Sequence, residues 1–204
     1  MLFSTSYKTI VAKSEALYKV KGSKFFAIAF PVKNEDEFKI QLHHIKLTYP
    51  DATHHCYALI LHPDKSFQKS SDDGEPANTA GKPILRAIIA NDLTNIAVVV
   101  VRYFGGTMLG VHGLIGAYNE AGRAALKVST AIEIIIEDTY KLHCDMAHEK
   151  ELHRMMKILN AKIISSIYNE NIQIKFSIPR SKEKQLNELK VSFFFFTIAR
   201  YDES

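Results

Sequence analysis

The sequence predicts an α+β fold in two parts, and three observations carry that prediction. Segments with strand alternation and segments with helical spacing follow one another along the whole chain. The last third reads β-α-β-β-α-β, a pattern complete in itself. The 204 residues, 47% hydrophobic and 24% charged, suffice for one large core or two small ones and are too apolar for disorder.

The first strands are expected at Tyr7–Ala12 and Ser23–Val32. Asn34 then caps a helix whose first turn, Glu35-Asp36-Glu37, suits the positive end of the helix dipole. Phe38, Leu42, Ile45 and Tyr49 recur at helical spacing until Pro50 stops the run. His54–Leu61 alternates as a strand with apolar residues on both faces, so both faces are expected to be covered. Residues 62–81 have the composition of an exposed polar loop. Pro83 suits the first turn of a helix striped by Ile84, Leu85, Ile88 and Ile89. The β-branched run from Ile96 reads as a strand buried on both faces and ended by Gly105 and Gly106. A helix follows over about Gly113–Lys127, packing through Leu114, Ala117, Ala121, Ala124 and Val128, and a strand at Ala131–Glu137 closes the first part.

The second part opens with strand Tyr140–Cys144 and helix Ala147–Leu159, whose Leu152, Met155, Met156 and Leu159 face inward. Strands Ala161–Tyr168 and Ile172–Ile178 form a hairpin across Asn169-Glu170-Asn171. A short helix after Pro179 and a strand Val191–Ile198 complete the pattern. Four antiparallel strands with two helices on one face bury both helical stripes. The run Phe193–Phe196 in the last strand would send two rings to the core and two to the open sheet face, a surface for a protein partner or for stacked bases.

The net charge of +4 permits a polyanionic partner without requiring one. Two distant cysteines, Cys56 and Cys144, make no disulfide framework, and the N-terminal segment has no signal-peptide pattern, so the cytoplasm is the expected compartment. No run of about 18 uncharged apolar residues exists, so no membrane span is expected.

Two segments concentrate the candidate chemistry. In SSDDGEPANTAGKP, Asp72, Asp73 and Glu75 crowd three carboxylates between flexible turns, with Lys82 close behind. The spacing is not that of a calcium loop, and sequence neighbours rarely face each other as a hydrolytic acid pair. In VVVVRYFGGTMLGVHGLIG, Arg102 and Tyr103 precede Gly105 and Gly106, whose backbone N–H groups with those of Gly110 and Gly113 can cradle an anion. Arg102 beside Tyr103 and Phe104 also suits RNA or a peptide. Opposite charges place the two segments together, with His54 or His55 at the rim of one cleft and His112 nearby. The histidines lack metal-ligand spacing, so no metal and no cofactor are expected. Cys56, in an apolar strand, reads as a small hydrophobe rather than a nucleophile.

Read together, DDGEPANTAGKPIL and VVVVRYFGGTMLGVHGLIGAY resemble the paired signature of the IMPACT/YigZ family, an otherwise uncharacterised family of bacteria and eukaryotes, across essentially the whole chain. The resemblance implies a first domain at residues 1–136 with the fold of the second domain of ribosomal protein S5. It also implies a second domain at 137–204, ferredoxin-like and similar to domains of elongation factor G. The signature falls on Asp73, Gly74, Glu75, Pro76, Thr79, Ala80, Gly81 and Pro83, then on Arg102, Tyr103, Gly105, Gly106, Leu109, Gly110, Gly113, Leu114 and Tyr118. Three positions depart from it: Asn78 and His112 replace usual glycines, and Gly116 stands where arginine is common, removing a positive charge.

In the family this chain resembles, eukaryotic relatives regulate translation by binding the activator of an initiation-factor kinase, through additional sequence not expected in this chain. The resemblance implies a non-enzymatic accessory or regulatory factor in translation that contacts RNA or the ribosome, with Lys162, Lys175, Arg180 and Lys182 as candidate phosphate contacts. A module binding a translation-related protein, and a hydrolase or transferase using the acidic loop, stay open as alternatives.

Overall fold

The computed structural model describes residues 4–201, so the first three residues of the N-terminal segment lie outside the described part. The chain forms two compact units, one of residues 6–134 and one of residues 4–5 with 135–201.

In the first unit, β2 (Ser14–Val20), β3 (Ser23–Pro31), β6 (Ile96–Tyr103), β4 (His54–Leu61) and β5 (Phe67–Ser71) form one sheet in the order β2-β3-β6-β4-β5. Every neighbouring pair is antiparallel. The β-branched run places β6 at its centre: Ile96 to Val101 are fully buried. Alternate residues feed two cores. Val98 and Val100 join α2 (Gly81–Ala90) and α3 (Gly110–Lys127), while Ala97, Val99 and Val101 join α1 (Glu35–Thr48). Period-two alternation with apolar residues at both phases therefore makes a three-layer unit, helix on one side and two helices on the other. α1 begins as expected, with the Glu37 N–H donating to Asn34 Oδ1 at 2.8 Å. β1 (Ser6–Ile10) pairs with β7 (Ala131–Ile135) outside the main sheet.

Four first-unit readings need correction. β2 went unrecognised because it is an edge strand whose residues are half-buried or exposed, leaving weak alternation. The polar loop contains β5, an edge strand carried by backbone pairing with β4 rather than by apolar side chains. Ile89 is 48% exposed, and Ala87 takes its place in the core. α3 begins at Gly110 instead of Gly113 and leaves Val128 outside, at 62% exposure.

In the second unit, β8 (Glu137–Asp145), α4 (Glu149–Leu159), β9 (Lys162–Tyr168), β10 (Asn171–Pro179), α5 (Glu183–Ser192) and β11 (Thr197–Arg200) follow the β-α-β-β-α-β order. The sheet runs β11-β8-β10-β9, so the first strand lies between the fourth and the third, all antiparallel. Leu152, Met155, Met156 and Leu159 are buried against Leu142, Ile174 and Phe176.

The aromatic run departs from the strand expected there. α5 continues through Ser192, and the Phe193 N–H donates to the Leu189 carbonyl at 2.8 Å. The Phe196 N–H then donates to the Phe193 carbonyl at 2.9 Å, closing a turn. The rings cluster on one another, with Phe195 and Phe196 centroids 4.8 Å apart. Phe196 is buried and Phe194 is 85% exposed, so no pair of rings is presented on the sheet face. Helix-end hydrogen bonds and ring packing outweigh the strand propensity of phenylalanine here.

Among the described residues no helix is long and apolar enough to cross a membrane.

Candidate functional site

The acidic segment joins β5 to α2, and each of its three carboxylates has a different task. Asp72 caps α2: Oδ1 accepts from the N–H groups of Ala80 (2.9 Å) and Gly81 (2.8 Å), and Oδ2 from Asn78 (2.8 Å). Burial opposes its charge, but these three donors and the charge of Lys82 outweigh it, so its carboxyl lies below the ordinary 3.8. The turn needs a left-handed backbone at Asp73 (φ 42°), Gly74 (φ 90°) and Asn78 (φ 65°). Asparagine tolerates that region, which is how position 78 keeps the turn without the family's usual glycine.

Asp73 ties the turn to β4. Its Oδ2 accepts from the His55 N–H at 2.7 Å, and Lys46 lies 3.4 Å from Oδ1. Its carbonyl accepts from His54 Nδ1 at 2.7 Å. A carbonyl can only accept, so Nδ1 is the donor of that bond, and the other ring nitrogen, Nε2, faces Glu75 Oε1 at 3.9 Å. His55 is buried, and burial holds its pKa below 6.5 although its Nε2 bonds to the Tyr49 carbonyl at 3.0 Å.

Glu75 turns inward and is the centre of the network. Its Oε1 accepts from Arg102 Nη1 at 2.5 Å and from the Tyr118 hydroxyl at 2.7 Å. Arg102 and Glu75 are only 6% and 8% exposed. The guanidinium also lies over the rings of Phe25 (5.5 Å) and Phe104 (5.7 Å). Cys56 donates to the Asp72 carbonyl at 3.0 Å and, sharing the proton, to the Tyr118 oxygen at 3.3 Å. Burial pushes its thiol up to about 12, and burial also raises Tyr118.

The two signature segments therefore meet, at Glu75 and Arg102, with His54 at the edge. Where they meet, the Glu75 carboxylate and the Arg102 guanidinium are buried against each other. Lys82 is exposed on α2, and His112 is exposed on α3. Gly105 serves a backbone approach: a Cβ there would come within 1.9 Å of the Gly22 carbonyl carbon. Gly106 has φ 83°. Tyr103 donates to Asp51 Oδ1 at 3.0 Å. Among the described residues no group of three or more His, Cys, Asp or Glu side chains could hold a metal ion.

Beside this network lies a pocket of about 480 Å³ formed by Lys24, Phe26, Tyr49, Asp51, Tyr103 and Phe104, together with Gly22. Of these only Tyr103 and Phe104 belong to a candidate site segment of the sequence. Lys24 and Phe26 come from β3, and Tyr49 and Asp51 from just past the end of α1, and only the fold brings these two pairs together.

The four candidate cations of the second unit have separate surroundings. Lys162 pairs with Glu137. Arg180 grips Asp138 with Nε (3.0 Å) and Nη2 (2.9 Å), and Arg200 joins the same carboxylate at 2.7 Å. Lys182 donates to Gln185 at 3.0 Å. Lys175 sits 4.1 Å from the Tyr201 ring, with Lys141 at 4.3 Å from the same ring. Alternation explains that pairing: Leu142 and Ile174 face the helices, so Lys141, His143, Gln173 and Lys175 face away from them. With Ser165, Ile167, Thr197 and Ala199 they line a groove of about 570 Å³ on the helix-free sheet face.

The site thus defines a two-unit α+β protein with a buried ionic signature in its first unit. Residues 21–126 match the model of the Impact N-terminal domain. An IMPACT family member of Haemophilus influenzae is 36% identical over 174 residues, covering 83% of this chain and 84% of that protein. IMPACT family member YigZ of Escherichia coli is 32% identical over 177 residues, covering 86% and 87%. A crystal structure described as a hypothetical protein superposes with a TM-score of 0.73 at 28% identity, covering 99% of this chain and 100% of that one. The chain belongs to the IMPACT family.

Proposed function

We propose that this chain is a cytoplasmic, non-enzymatic regulatory factor in translation that contacts RNA or the ribosome. In this reading residues 1–136 form a domain of the ribosomal protein S5 domain 2 kind, and residues 137–204 a ferredoxin-like domain similar to those of elongation factor G. The order β11-β8-β10-β9 around two helices supports the second assignment.

The observation that carries the reading is the use to which the signature is put. Asp72 caps a helix, Glu75 neutralises a buried arginine, and the Cys56 thiol, at about 12, is protonated at neutral pH. In this reading the carboxylates of the acidic loop hold the fold together and are not an acid, a base or a nucleophile. On the second unit, Lys141 and Lys175 of neighbouring strands flank the Tyr201 ring, a combination that suits phosphates and an adjacent base.

The test is binding of the full chain to ribosomal RNA fragments beside a Lys141→Ala/Lys175→Ala variant. Wild type binds at low salt and the variant binds at least several-fold more weakly; equal affinity of the two removes this face from the reading. A second reading, a module for a translation-related protein, is favoured by Met108 and Val111, exposed at 85% and 54% in the signature segment. Salt-insensitive capture of a protein partner, lost in Met108→Ser, would select it.

A further inference from the structure

The first-unit pocket has three chemical features at fixed positions: aromatic walls, one carboxylate and one ammonium. Its floor is rigid. Phe26 stacks on Tyr49 with centroids 5.9 Å apart and planes at 25°, and it meets Tyr103 edge-on at 5.9 Å. Phe104, half-exposed, forms the outer wall, with the Arg102 guanidinium 5.7 Å from its ring. The Tyr103 hydroxyl donates to Asp51 Oδ1 at 3.0 Å, which orients the carboxylate and leaves Oδ2 as an acceptor. Lys24 supplies the positive charge on the same rim. The volume, about 480 Å³, lies in the range of small-ligand sites.

These features select among ligands. A cationic side chain would suit the rings and Asp51 but meet Lys24, and a bare phosphate would suit Lys24 but meet Asp51. A nucleotide satisfies both charges, because its base offers a flat face and N–H donors while its phosphate carries the negative charge. Among the four bases guanine presents two adjacent donors, N1–H and N2–H, to a carboxylate.

We propose that this pocket binds a guanine nucleotide, free or unstacked within single-stranded RNA. The base stacks against the aromatic walls, Asp51 accepts from its donor edge and Lys24 faces the phosphate. The RNA-borne case rests on the reading given above; the free-nucleotide case does not.

Calorimetric titration of the full chain with GMP, AMP, CMP and UMP tests the site. Hexauridylate with and without one central guanosine separates the two sources. GMP binds best, by about fivefold or more, as expected of a good paired contact to a base edge. Asp51→Asn removes that preference and Phe104→Ala weakens every nucleotide by about fivefold or more, the loss expected of a stacking ring. Lys141→Ala/Lys175→Ala leaves GMP affinity unchanged, so failure of the second-unit RNA face is read separately from failure of this pocket. Binding of the guanosine oligonucleotide without GMP identifies RNA as the source, and equal binding shows that the free nucleotide suffices; both sustain the proposal. The absence of a guanine preference, including the absence of any binding, overturns it. So does a preference that survives both Asp51→Asn and Phe104→Ala.

Discussion

Glu75 and Arg102 show how a single residue can govern this family's signature. A buried arginine without its carboxylate is an uncompensated charge, so Glu75→Ala is expected to cost about 3–5 kcal/mol. Urea denaturation of the full chain measures this, and a loss below about 1 kcal/mol would mean the pair is not essential to the fold. Asp72→Ala should cost about 1–2 kcal/mol at neutral pH, the usual range for a helix cap. Its folded pKa is depressed below 3.8, so its stabilising contribution is present above that value and is lost as pH falls through the folded pKa. The difference between wild type and Asp72→Ala should therefore shrink below about pH 4. His55 acts in the same direction: held neutral in the fold, it lowers stability as pH drops below 6.5, where the unfolded chain takes up the proton. A stability difference for Asp72→Ala that is constant from pH 3 to 7 would contradict the assignment.

Among the elements, β6 is the one the sequence shows best. Its seven consecutive buried residues, Ile96 to Arg102, pair on both sides, with β3 and with β4. Its amides should be the slowest to exchange in native-state hydrogen exchange, and those of β9, an edge strand exposed along its whole length, among the fastest. Comparable rates for the two strands would show that opening does not follow this layering. The helices at Glu35, Gly81 and Glu149 were legible because caps, proline and apolar spacing agree. The edge strands β2 and β5 were not, because backbone pairing defines them and leaves little apolar pattern. Phe193–Phe196 misled because four aromatic residues favour a strand locally, whereas the end of α5 and mutual ring contacts decide their conformation. The candidate site was legible where charge complementarity joins two motifs, as at Glu75 and Arg102. It was hidden where Asp51 and Lys24 meet through the fold.

At the scale of the whole molecule, the net charge of +4 says little until its distribution is known. Of the four second-unit cations read from the sequence, Lys162 and Arg180 pair with carboxylates, Lys182 donates to Gln185, and Lys175 lies against the Tyr201 ring on the sheet face that also carries Lys141. The proposed RNA contact there would be electrostatic and would release counterions in proportion to the phosphates it neutralises. The measurement that tests this most directly is the slope of log affinity for a ribosomal RNA fragment against log salt concentration, for wild type and for Lys141→Ala/Lys175→Ala. The account predicts a negative slope for wild type that becomes shallower by roughly 1–2 in the variant, about one unit per lost phosphate contact. A flat slope for wild type, or the same slope for both proteins, would contradict it.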